Sequence, residues 1–180
     1  MKTPKKVLGL LRHAKSDLDD LSRRDFERGL NAQGQRGAAL MGRHIREHGI
    51  KWDRLMASPA ERVRLTLDAA SLRVAPRWDE RLYLADREAL LEVVRGVQGD
   101  PAAILIAGHN PGLQELIFEL VAPERENELF AAATEKYPTA AFAVLELEIE
   151  RWADCTPSCG TLVHLARPRD LDPALGPAAS

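Results

Sequence analysis

The stretch AAILIAGHNPGLQELIFEL, residues 102–120, decides the fold class of this chain. Its unbroken apolar run from Ala103 to Ala107 has the length and the bounds of a buried strand. A helix is predicted directly after it, from Pro111 to Leu120, with Asn110 as its cap. A strand passing straight into a helix is the repeating unit of a parallel sheet.

Upstream, the same unit occurs twice more. Val7 to Leu11 is a short apolar run between charges, and after a charged loop from Leu18 to Gly29 a helix is predicted over Asn31 to His48, stopped by Gly49. Arg54 to Ala57 is a second short strand. The segment SPAERVRLTLDAA then begins a helix, with Ser58 as N-cap, Pro59 as first helical residue and Glu61 as capping-box partner. Trp78 to Leu84 reads as extended, and Arg87 to Val97 returns to helical spacing. Downstream, Pro123 to Pro138 is a charged connector with room for helical turns. AAFAVLELEIERW and GTLVHLARP alternate and pair as antiparallel strands. The expected fold is therefore α/β, a three-layer sandwich with a mostly parallel, mixed central sheet and helices on both faces. Residues 1–167 form one catalytic domain in this reading, and the proline- and alanine-rich residues 168–180 a loose tail.

Composition narrows the function classes. The 180 residues suit one core, and 45% apolar with 29% charged residues is ordinary for a globular protein. A net charge of -2 argues against a strongly basic nucleic-acid binder but leaves room for a local positive pocket. No apolar run is long enough to cross a bilayer, and the opening MKTPKKVLGLLRHAK is too briefly apolar for a secretory signal, so the expectation is a cytoplasmic protein without membrane partners. Cys155 and Cys159, in CTPSC, read as free thiols near a loop.

In open α/β sheets ligands collect beyond the carboxyl ends of the strands. Three such exits carry Arg12 with His13, Ser58 with Arg62 one helical turn on, and His109 before Asn110. Arginine forks match phosphate oxygens, and helix N-termini add N–H groups of the same polarity. Two arginines and two histidines brought to one edge describe a phosphate pocket, with a neutral imidazole between cations as a nucleophile for phosphoryl transfer.

RHAKS at 12–16, SPAER at 58–62 and GHNP at 108–111 together resemble the histidine phosphatase superfamily, with its RHG motif, SPxxR motif and second histidine. The short chain, DFERGLNAQG from Asp25 and KYPTAAFAVLE at 136–146 are most similar to the SixA-type phosphohistidine phosphatases. The resemblance runs from about Val7 to Arg167 and implies that His13 attacks phosphorus while Arg12, Arg62 and His109 hold the oxygens, with no metal or organic cofactor. It further implies a phosphorylated protein, carrying phosphohistidine, as substrate; small phosphomonoesters or nucleotides and a non-catalytic phosphate-binding module are the alternatives. Ala14 stands where the superfamily usually has glycine. Larger relatives place a glutamate acid about twenty residues after the second arginine, where Glu80 lies, with Asp17 and Asp86 as rivals. Ser16 and Arg28 are further candidates for substrate contact.

One competing pattern remains. His44, Glu47 and His48 spell HxxEH, an inverted zinc-protease signature. Both histidines fall in the last helical turn, where the dipole favours them, and no third ligand with supporting context follows, so no metal is expected. His164, alternating with apolar residues in the last strand, reads as structural.

Overall fold

The computed structural model describes residues 5–175. Six strands form one sheet: β1 (Lys6–Arg12), β2 (Arg54–Ala57), β3 (Pro76–Trp78), β4 (Ala103–Gly108), β5 (Phe142–Leu147) and β6 (Gly160–Ala166), in the order β3-β2-β4-β1-β5-β6. The first four are mutually parallel, and β5 and β6 complete the sheet antiparallel, so the mixed α/β sandwich is as expected.

Strand residues alternate between two cores because successive side chains point to opposite faces. Leu8, Leu10, Ile104 and Ile106 face one core together with Leu90 and Val94 of α3 (Arg87–Arg95) and Leu113 and Leu116 of α4 (Gly112–Leu120). Leu11, Leu55, Leu105 and Phe142 face the other, with Met41 and Ile45 of α1 (Ala32–His48) and Val63 and Leu67 of α2 (Glu61–Ala70). The strands β1 and β4 are thus apolar throughout because helices cover both faces.

Local signals explain the boundaries. Asn31 Oδ1 accepts from Gly34 N and caps α1, while Gly49, at φ 89°, ends it in the left-handed region that glycine tolerates. The start of α1 lies close against the loop after β1: a Cβ at Gly34 would come within 2.1 Å of the Lys15 carbonyl oxygen. The connector holds α5 (Glu128–Glu135), packed on β6 and α4.

Three expectations need correction. The helix α2 begins at Glu61, because Ser58 is occupied elsewhere: its hydroxyl accepts from Ala60 N at 3.3 Å and meets the His109 ring. The segment expected to be extended contains a 3-10 turn at Glu80–Leu82, which Asp79 caps through Arg81 N. The tail is not loose up to residue 175. Pro168 opens α6 (Pro168–Leu171), the Asp170 carboxylate accepts from both Arg167 N and Arg167 Nε, and Pro168 is buried. Proline at the first helical position with an acid at the third is a helix start, which composition alone concealed. Residues 176–180 of the expected tail lie outside the described residues. No helix among the described residues is long and apolar enough to cross a membrane.

Candidate active site

Parallel pairing brings the ends of β1, β2 and β4 level: Arg12 is opposite Gly108, and Ala57 opposite Ala107. The residues just past these ends, His13, Ser58 and His109, therefore meet at one edge. They belong to a small set of buried polar side chains there: His13 is 8%, Arg62 5% and His109 3% exposed.

His13 is held by both its backbone and its ring. Its N–H donates to Gly108 O, its carbonyl accepts from Ala140 N, and Nδ1 lies 2.7 Å from Ala14 O. A carbonyl only accepts, so Nδ1 carries the proton and Nε2 keeps its lone pair. Burial, with Arg62 and Arg12 adding repulsion, lowers the His13 pKa to about 4, so the ring is neutral at pH 7.

Arg62 is the hub. Its Nη1 donates to Asp25 O at 2.8 Å, and Nη2 reaches Asp25 Oδ2 at 3.1 Å and His109 Nδ1 at 3.3 Å. Guanidinium cannot accept, so His109 Nδ1 is the acceptor and Nε2–H donates to Ser58 Oγ at 2.8 Å. Burial, then the nearby His13 and Arg62, lowers the His109 pKa to about 3. The His13 and His109 ring centroids are 5.4 Å apart. Thr66, one turn along α2 from Arg62, accepts from Ala14 N and donates to Arg62 O, which locks the loop after β1 to α2.

Arg12 is fixed by a residue that sequence reasoning did not single out. Tyr137 lends its carbonyl to Arg12 Nη1 and Asn110 Nδ2, both at 3.0 Å, while its buried hydroxyl donates to Leu10 O. Burial and the nearby Arg62 lower the Arg12 pKa. Arg12 Nε is buried without a hydrogen-bond partner. The Ala14 methyl belongs to a small apolar cluster with Leu30, Ala38 and Ala140.

A cleft of about 750 Å³ has Arg12, His13 and Arg62 in its walls; His109 does not line it but meets Arg62 through Nδ1. Ser16 and Arg28 line it. Glu80 does not: it is exposed on the 3-10 turn and not among the lining residues. Nor do the rivals, since Asp17 accepts from Asp19 N and Asp86 caps α3 through Ala89 N. Among the described residues the carboxylate on the wall is Asp25, and Tyr83, just after the turn that carries Glu80, donates its hydroxyl to Asp25 Oδ2 at 2.5 Å without lining the cleft itself. Tyr83 and Arg62 hold the Asp25 carboxyl below the ordinary aspartate range. The signal for Asp25 was present in DFERGLNAQG, and only the fold turns that motif toward Arg62. The cleft's further basic residues are Lys15, Arg36, Lys136 and Arg169, the last from the segment expected to be loose. Of the connector, only its end at Lys136 and Pro138 reaches the cleft.

Residues 8–93 match the family model of the histidine phosphatase superfamily (branch 1). An uncharacterized Mycobacterium tuberculosis protein, Rv1276c, is 33% identical over 160 residues, which is 88% of this chain and 100% of that protein. Among solved structures, a candidate phosphohistidine phosphatase SixA of Nakamurella multipartitia superposes with a TM-score of 0.81 at 27% identity, covering 91% of this chain and 96% of that one. A candidate SixA of Agrobacterium tumefaciens gives 0.75 at 25% identity, over 91% and 98%.

Proposed function

The chain belongs to the histidine phosphatase superfamily, branch 1, and from that premise we propose that it removes phosphate from phosphohistidine on a protein, through a phosphohistidine intermediate on His13. The observation that carries this reading is the His13 ring, neutral, with Nδ1 tied to Ala14 O and the Nε2 lone pair left free near buried Arg62 and half-buried Arg12. A fixed tautomer beside cations is what an in-line attack on phosphorus requires.

In the proposed reaction Nε2 of His13 forms a bond to phosphorus as the bond to the leaving nitrogen breaks. Arg12 and Arg62 stabilise the charge on the equatorial oxygens, with donors already in place before the reaction. The bound dianion also opposes the burial and the cationic repulsion that together keep His109 neutral. Protonated His109 then donates Nδ1–H to an oxygen, with Ser58 holding its other nitrogen. Water attacks the phosphoryl group on His13, releasing phosphate and restoring the imidazole.

Two features support phosphohistidine as the substrate. Among the described residues the cleft wall carries one carboxylate, Asp25, and Tyr83 and Arg62 keep it ionised, so it serves to position Arg62 rather than to protonate a leaving group. An imidazole protonated on its far nitrogen departs neutral and needs no such acid, whereas an alkoxide does. The helix of the connector also leaves the cleft open for a side chain projecting from a partner. The test compares phosphate release from a phosphohistidine peptide, a phosphoserine peptide and a small aryl phosphate. The expected order places phosphohistidine first; turnover confined to the small phosphomonoester would overturn the substrate assignment.

A further inference from the structure

The HxxEH pair on α1 has a third partner in space. His164 of β6 stands beside His44 and His48, and one ring nitrogen from each of the three lies within 4.8 Å of the others. His44 Nε2 and His164 Nε2 are 2.9 Å apart, and the His48 ring stacks on His164 with centroids 4.1 Å apart. We propose that His44, His48 and His164 form a binding site for a divalent transition cation of the zinc class, clipping α1 to the edge strand of the sheet.

The residue pattern fits this use. His44 and His48 are four apart and so share one helix face, one above the other. His164 faces them from β6, the last strand in the sheet order. Phe142 packs edge-on against all three rings, leaving their other edges to meet one another. Between His44 and His164 one nitrogen must donate and the other accept, so one lone pair there is already aimed inward. Tetrahedral zinc with bonds of about 2.0–2.1 Å sets ligand nitrogens about 3.3 Å apart. The His44–His164 pair therefore needs to open by only a few tenths of an ångström, and exposed His48 is free to turn toward it. Three imidazoles with water in the fourth position are a ligand set that zinc accepts.

The site is distinct from the catalytic histidines. The cleft is lined by Gln33, Gly34 and Gly37 near the start of α1, and His48 lies eleven residues beyond Gly37, about 16 Å along the helix. A cation here joins residues 120 apart in sequence, so its role is to constrain the chain rather than to react. It departs from the expectation of no metal, which rested on the missing third ligand.

The test is calorimetric titration of the chelator-treated full-length protein with Zn²⁺, alongside thermal unfolding. The expected result is one ion per chain and a rise in Tm of roughly 5–10 °C at a hundredfold excess over Kd. His48→Ala and His164→Gln should each weaken binding at least ~10-fold and lose the Tm rise, while His109→Ala keeps both. His48 is exposed, so its variant tests the site even where His164→Gln fails to fold. Absence of stoichiometric binding to the wild type, or binding lost in His109→Ala and kept in His48→Ala, would overturn the proposal.

Discussion

At His13, burial and two guanidinium groups act in the same direction, toward a ring that refuses a proton. Its folded-state pKa, about 4, lies below the ordinary value near 6.5, so as the pH falls the unfolded chain takes up the proton first. The neutral ring therefore contributes its full stability above about pH 6.5 and loses it progressively down to about pH 4, amounting to roughly 3 kcal/mol for a shift of this size. Urea unfolding at pH 7.5 and 4.5 should show a larger loss for the wild type than for His13→Ala; equal losses would mean that the ring titrates normally. Arg62→Ala should lower kcat by about 10²–10³, as expected for a lost donor to transition-state charge, and Asp25→Asn should lower it less, since Asp25 acts through Arg62. Steady-state kinetics with an aryl phosphate separates the two. Arg12, His13, Arg62 and His109 were legible because each follows a strand or opens a helix in a quotable motif. Asp25, Tyr83 and Tyr137 were not, because their roles come from a loop, a 3-10 turn and a backbone carbonyl that only tertiary contact directs to the arginines. Glu80 was selected by its distance along the chain, yet it does not line the cleft, and Tyr83, just after the same turn, acts there only through its hydrogen bond to Asp25.

The elements that aim these side chains depend on a few close approaches. The amino end of α1 abuts the loop carrying Ala14 and Lys15, and a Cβ at Gly34 has nowhere to go against a backbone oxygen. Gly34→Ala should destabilise the protein by about 1–3 kcal/mol and depress activity with it, because the loop that must yield also holds His13. Chemical denaturation paired with an activity assay checks this; a stable, fully active variant would contradict the tight contact. Apolar runs and caps made β1, β2, β4 and α1 legible almost to the residue, since Asn31 and Gly49 punctuate α1 unambiguously. The start of α2 was misplaced because a serine before a proline looks like a cap whether its hydroxyl faces the helix or a histidine. The helix α6 was missed because its capping pair, Arg167 and Asp170, is hidden in a proline- and alanine-rich stretch.

Across the whole molecule, a net charge of -2 coexists with a cleft lined by Lys15, Arg28, Arg36, Lys136 and Arg169 around the two central arginines. Such a field gathers anionic partners over about a Debye length. KM for a phosphorylated protein should therefore rise with ionic strength between about 0.05 and 0.5 M while kcat changes little, a dependence that a small aryl phosphate should show more weakly. An unchanged KM would remove the basic rim from recognition. The sheet order explains why bulk charge could not reveal this: the basic residues come from β1's loop, the charged loop, α1, the end of the connector and α6, and converge only once the strands are parallel. The most direct measurement is the site of the covalent intermediate. Rapid quenching at high pH during turnover of labelled phosphohistidine peptide, followed by mass spectrometry of the digest, should find the phosphoryl group on His13 and none in His13→Ala. Full turnover by His13→Ala, or label on any other residue, would contradict the account.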